Sequence, residues 1–229
     1  MRYAPANERL DHDLGTPEEI AASLRDLWWF NRWLGGVQMQ RRLWSRLLRC
    51  RPMMRIRILD VGTGTGELAA TTATWLDAQG VLASTVGLDR KPGHLRLGTV
   101  PGVAGDVLAL PFAARSFDVV SCSLFLHHFR GEAARRMLAE MLVTARQAVI
   151  ISDVARAWIP YAAVWLISRL GMSRVTQFDA PASIRQAYTA SELCQLAASV
   201  GAADFELVRL FPFRLGLILY PRSQASEER

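Results

Sequence analysis

Ile58-Leu59-Asp60-Val61-Gly62-Thr63-Gly64-Thr65-Gly66-Glu67 runs an apolar strand straight into three closely spaced glycines and out again into a helical pattern. The glycines let a backbone pass close to a ligand, and the first turn of the helix offers amides with no intrahelical partner. Such a turn at a strand end is a ligand loop. Its spacing decides which ligand. A dinucleotide fingerprint wants glycines at relative positions one, three and six, and counted from Gly62 the sixth is Glu67. A Walker loop needs Gly-Lys followed by Ser or Thr, and the single lysine of the chain, Lys91, stands elsewhere. Asp60 at the strand tip would share a poorly solvated site with a pyrophosphate, so a cationic ligand suits it better.

Outward from this loop, short apolar runs at 56–61, 81–88, 103–105, 117–123 and 148–152 alternate with amphipathic stretches such as 132–146. Continuous apolar strands separated by helices call for a mostly parallel sheet covered on both faces, a doubly wound α/β domain. Residues 205–211 and 214–220, on either side of Pro212-Phe213, predict a closing antiparallel hairpin at one sheet edge and bring the strands to seven. Thr16-Pro17-Glu18-Glu19 and Thr189-Ala190-Ser191-Glu192 are capping boxes. They start one helix that runs to about Trp33, before Gly35-Gly36, and another that ends near Val200-Gly201. The expected organisation is an N-terminal helical lid over 1–54, a core over 55–229, and a helical insertion at about 155–188 rich in large apolar residues that no strand pattern claims.

Composition excludes a disordered chain or a fibre: 229 residues with 51% apolar and 21% charged side chains can close a full core without staples. The net charge of +6 permits an anionic partner without demanding one. Nine arginines against one acid, Asp26, between Ile20 and Arg57 are the clear charge asymmetry. They suit a peripheral membrane surface or a plain solvated helix face, and RNA phosphates are a third reading. Cys50, Cys122 and Cys194 are odd in number and lack ligand spacing, which suggests reduced thiols. The polar start carries no export signal pattern, and the cytoplasm is the expected location.

From Asp60 to Gly66 the chain resembles the first motif of the class I S-adenosylmethionine-dependent methyltransferases, Asp/Glu-x-Gly-x-Gly-x-Gly. Later stations follow in order. Asp89, ending Val86-Gly87-Leu88, stands where that family binds ribose hydroxyls. Gly105-Asp106-Val107 with Leu110-Pro111-Phe112 is similar to its adenine-binding segment, Ser116-Phe117-Asp118-Val119-Val120 to its fourth strand, and Leu126-His127-His128-Phe129 to the turn after it. The resemblance implies a seven-stranded Rossmann-like methyltransferase fold and S-adenosyl-L-methionine as cofactor. It places Asp60, Gly62, Thr63, Gly64, Gly66, Asp89, Arg90, Asp106, Val107 and Ser123 in the cofactor set. Asp118 is structural in the family.

A sulfonium methyl is already activated, so the protein chiefly has to align donor and acceptor and exclude water. An oxygen or carbon acceptor must also lose a proton, for which His127 and His128 are the candidates, the other reading being that they only fix the turn. The motif of adenine and cytosine N-methyltransferases is missing after the fourth strand, which argues against nucleic acid, and no clustered metal set is evident, so no metal is expected. The Trp-rich N-terminal helices and the insertion suggest an apolar cavity for a small hydrophobic acceptor such as a quinone or polyketide. Within them, Arg32 is a candidate for the cofactor carboxylate, and Arg185 and Tyr188 for substrate contact. An RNA methyltransferase and a cofactor-binding but silent partner subunit are the competing functions. The acceptor and the oligomeric state are not encoded in any motif.

Overall fold

The computed structural model describes residues 1–211 and 213–222. Helices α1 (Pro17–Trp33) and α2 (Gly36–Cys50) lead into β1 (Arg55–Val61), α3 (Glu67–Ala78), β2 (Leu82–Asp89), the short α4 (Pro92–Arg96), β3 (Gly102–Ala104) and β4 (Phe117–Ser123). Then come α5 (Gly131–Thr144), β5 (Ala145–Val154), α6 (Trp158–Ser168), α7 (Arg174–Gln186), α8 (Ala190–Ser199), β6 (Asp204–Leu210) and β7 (Arg214–Tyr220). The strands form one sheet in the order β3-β2-β1-β4-β5-β7-β6. The first five are parallel, and β7 inserts antiparallel between β5 and β6. This is the expected doubly wound sheet with its antiparallel hairpin; the Pro212 placed in the hairpin turn lies outside the described residues.

Strand periodicity divides the core into two layers. Ile58, Val119, Ile150 and Ile218 point to one face, where Met39, Leu43, Trp44 and Leu47 of α2 cover them. Leu59, Val120, Val149, Ile151 and Leu217 point to the other, under Met137, Leu138 and Met141 of α5 and Leu193 of α8. A Cβ at Gly216 would lie 2.8 Å from Met39 and from Leu43, so α2 rests directly on the backbone of β7. Helix α2 is therefore part of the core, while residues 1–14 and α1 lie over the cavity described below.

One boundary differs from the sequence reading. The expected helix to residue 146 stops at Thr144, and β5 begins at Ala145 with no connecting residue. Arg146 fits the helical pattern but lies at the start of β5, where it pairs with Asp118 at 3.6 Å and donates to the Arg115 carbonyl. The insertion is a pair of helices, α6 and α7, of which α7 starts at a Ser173 cap and contains Pro181.

Candidate active site

The loop after β1 turns on three left-handed glycines, Gly62 (φ 65°), Gly64 (φ 56°) and Gly66 (φ 74°). Such angles strain any residue with a Cβ, and at Gly62 a Cβ would also fall 2.4 Å from the Phe125 ring. The loop is tied to β2: the Gly64 amide donates to Asp89 at 3.0 Å and the Thr63 amide to the Leu88 carbonyl at 3.1 Å. Asp89 also accepts from the Lys91 amide at 2.8 Å, and its ring partner His94 helps to hold the carboxyl below the usual range against the opposing effect of burial. Asp60 lies beneath the loop and not against the cavity. It accepts from Thr63 Oγ1 at 2.9 Å and from Ser121 Oγ at 2.7 Å, and burial pushes its carboxyl up to about 6.

Above the loop is a cavity of about 380 Å³. One end is lined by Gly62, Gly64, Asp89, Arg90, Asp106 and Val107. Asp106 is exposed at the mouth, with one oxygen accepting from the Leu108 amide at 2.9 Å. The other end is apolar: Leu24, Leu27, Phe30 and Leu34 come from α1, Pro160 and Val164 from α6, and Ile184 from α7. His127 and His128 line the wall. Eight of the residues singled out in the sequence thus meet around one space.

Others do not line it. Thr63 and Gly66 shape the loop from behind, and Ser123 Oγ is taken by Gln40 Nε2 at 2.6 Å. Arg32 is exposed and lies against the Trp33 ring. Arg185 is exposed on α7, outside the lining. Tyr188 is buried, its hydroxyl donates to the Phe129 carbonyl at 2.6 Å, and its ring packs 3.7 Å below the Arg130 guanidinium. Those contacts give it a place in the scaffold behind the histidine turn.

The wall also carries residues that the motif reading missed. Asp153, at the end of β5, accepts from His127 Nδ1 at 2.9 Å and from the His127 amide at 3.1 Å. Glu8, from the N-terminal segment, is buried in front of the same ring, 3.6 Å from His127 Nε2 and 3.9 Å from His128 Nε2, and accepts from Ser183 and Gln186 of α7 at 2.7 and 2.8 Å. Burial opposes a charged His127, yet the Asp153 and Glu8 carboxylates outweigh it and raise the ring to about 10. His127 is accordingly an imidazolium at neutral pH, fixed on both sides. His128 stacks on it with ring centroids 4.4 Å apart, is less buried, and has Asp11 2.8 Å from Nδ1. Arg214, buried at the start of β7, donates to the Leu34 carbonyl at 2.9 Å and leaves Nη1 without a partner beside the cavity. Asp153 is legible in hindsight as a carboxylate ending an apolar strand, as Asp60 is; Glu8 has no local signal.

Among the described residues, Glu8, His127 and His128 also offer ligand atoms within 4.8 Å of one another, a donor set of a kind that divalent cations take. Without an ion there, the Asp153 and Glu8 carboxylates favour a protonated His127.

Residues 58–147 match the family model of a methyltransferase domain. A demethylmenaquinone methyltransferase of Corynebacterium kroppenstedtii is 38% identical over 105 residues, covering 44% of this chain and 42% of that protein. A second, from Roseiflexus castenholzii, is 36% identical over 85 residues, 34% of each chain. The matched segment thus spans less than half the length of these relatives. Among solved structures, a plantazolicin methyltransferase in complex with a triazolic desmethyl analogue and S-adenosylhomocysteine superposes with a TM-score of 0.71 at 14% identity over 94% of both chains. Magnesium protoporphyrin IX methyltransferase from Synechocystis PCC 6803 gives 0.55 at 17% identity over 82% of this chain and 84% of its own. The sheet described above is the Rossmann-like fold of these enzymes.

Proposed function

We propose that this chain, built on the class I methyltransferase fold, is an S-adenosylmethionine-dependent enzyme that methylates an oxygen or carbon of a small hydrophobic acceptor of quinone or polyketide type. The observation that carries the reading is one continuous cavity with a glycine loop and two carboxylates at one end and an apolar chamber at the other, with His128 on the wall. The residues fit the cofactor. Asp89 keeps acceptor capacity for ribose hydroxyls after binding its two amides, and Asp106 has an oxygen free for an exocyclic amine next to Val107. The glycines leave the backbone bare where a nucleoside would pass.

When bound, the cofactor supplies an activated methyl group, so the chain's work is placement and proton handling. The α1 residues and the N-terminal segment exclude water from the apolar end. His128, oriented by Asp11 on Nδ1, has the arrangement of a general base for an acceptor hydroxyl or acidic carbon. His127 already holds its proton and acts as a fixed positive group beside it. The matched segments of the demethylmenaquinone methyltransferases support a quinone-like acceptor, and three free thiols, Cys50, Cys122 and Cys194, suit a cytoplasmic setting. We read the exposed arginines of α2 as an auxiliary contact for an anionic surface, and nucleic acid as an improbable acceptor.

The test is calorimetry with S-adenosylhomocysteine followed by incubation of labelled S-adenosylmethionine with a panel of quinols, phenols and a tRNA pool. Transfer into the small acceptors is expected. No binding of S-adenosylhomocysteine, or label confined to RNA, would overturn the reading.

A further inference from the structure

Helix α6, Trp-Ile-Pro-Tyr-Ala-Ala-Val-Trp-Leu-Ile-Ser, is apolar all the way round. Its inner stripe, Pro160, Val164 and Ser168, is buried, and Pro160 and Val164 form part of the cavity wall. Its outer stripe continues into the following turn and leaves Trp158 at 66%, Ile159 at 72%, Trp165 at 43%, Leu166 at 57% and Leu170 at 77% exposure. These positions recur at helical spacing on one side. A helix that is hydrophobic on every side requires a partner on its second face, and an exposed patch of this size marks an interaction surface.

We infer that this outer face lies on an anionic lipid bilayer, with α6 parallel to the membrane plane. Three observations select a bilayer as the occupant. The helix is too short to cross, and among the described residues no helix is long and apolar enough to do so. The segment 157–178 exposes Arg169 and Arg174 and holds no acidic residue, the charge complement of an anionic headgroup layer. Arg169 and Arg174 flank the end of the outer stripe, and Trp33, at the end of α1, adds a further exposed indole next to Leu34, which packs with Val164 and Tyr161 in one cluster. Tryptophan with flanking arginine is the residue pairing of the membrane interface.

The consequence for function follows from the two stripes of one helix. The side of α6 opposite the lipid face walls the acceptor end of the cavity, so a lipid-soluble acceptor moves from the bilayer into the chamber past a single helix and does not cross water. This surface differs from the arginine face of α2, whose exposed positions Gln38, Arg41, Arg42 and Arg49 carry charge and polarity but no large apolar side chain. The inference rests on the proposed activity only for the lipid-soluble nature of the acceptor.

The test is co-sedimentation of the full chain with vesicles of phosphatidylcholine alone and of equal parts phosphatidylcholine and phosphatidylglycerol, with tryptophan emission read in parallel. The wild-type chain is expected to pellet with the anionic vesicles and to shift its emission to the blue. Ile159→Glu/Leu166→Glu, both on the outer stripe, should lower the partition by about tenfold or more while leaving S-adenosylhomocysteine affinity unchanged. A wild-type chain that stays in the supernatant with both vesicles, or a double variant that pellets equally well, overturns the inference. So does light scattering that finds a dimer which the double variant splits, because the face would then be covered by a second copy. Vesicle binding without any binding of the homocysteine product would leave this surface standing and remove the methyltransferase reading, so the two failures are separable.

Discussion

Replacing Asp89 with alanine tests the cofactor site at the residue where loop and ligand share one carboxylate. In the protein this carboxylate accepts from the Gly64 amide at 3.0 Å and the Lys91 amide at 2.8 Å, and against the effect of burial these amides and the His94 ring 3.7 Å away hold it below the ordinary range, so it is ionised. A ribose would add charge-assisted hydrogen bonds to the lone pairs that remain. Loss of such bonds weakens binding by about 1.5 to 3 kcal/mol. That corresponds to about a 10- to 150-fold rise in the Kd for S-adenosylhomocysteine. Asp89→Asn should lie between, because one carboxamide oxygen can still accept from one amide while its NH2 faces the other donor. Isothermal titration calorimetry reads the affinity, and a thermal melt of each variant without ligand shows whether the fold survives. A folded Asp89→Ala variant with wild-type affinity would refute the reasoning, for the carboxylate would then serve the loop alone.

His128→Ala should slow methyl transfer by about 100-fold or more with cofactor affinity near normal, and an unaltered rate would return this residue to scaffolding. His127→Ala should show itself chiefly in the melt, because it strands the buried Asp153 carboxylate, a defect of about 3 to 5 kcal/mol; wild-type stability would contradict the ion-pair assignment. Asp60→Asn makes stability less dependent on pH. The native carboxyl is raised to about 6, so its contribution is fully present below the unfolded value near 4 and is lost as pH rises through 6, a swing of roughly 3 kcal/mol. The difference between variant and wild-type melts should therefore favour asparagine more at pH 8 than at pH 4, and parallel profiles would sink the burial argument. Dialysis against a chelator should leave turnover intact, whereas a loss restored by zinc or magnesium would seat a cation among Glu8, His127 and His128.

The glycine loop, Asp89, Asp106 and the histidine turn were legible because each depends on a contiguous motif at a strand end, and in an open α/β sheet those ends meet at one side. The helix stop at Thr144 was not, because Arg146 continues an amphipathic pattern although it already sits in β5, paired with Asp118 and the Arg115 carbonyl. Tyr188 and Arg185 stood in the right segment, but periodicity does not say which side of a helix end faces a cavity; the Tyr188 hydroxyl turns to Phe129 and Arg185 to solvent. Glu8 was invisible for a different reason. It precedes any regular element, and its partners Ser183 and Gln186 lie 175 and 178 positions away.

That remote segment is fastened differently at the two ends of the cavity. Near α7 it is fastened by buried groups: Glu8 to Ser183 and Gln186, and the Arg9 and Leu10 amides to Asp179 at 2.8 and 2.9 Å. Near the glycine loop it is fastened by Asp13, which pairs with Lys91 at 2.6 Å and lies 3.4 Å from His94, with Asp13 47% exposed. An exposed ion pair contributes up to about 1 kcal/mol, whereas uncovering the buried Glu8 would leave His127 short of a counter-charge and the Gln186 amide nitrogen of α7 unpaired. The strap is therefore weakest next to Asp89 and Lys91. On the proposed function, ligand exchange at the loop would lift the Asp13 end, with Glu8 still seated between His127 and α7.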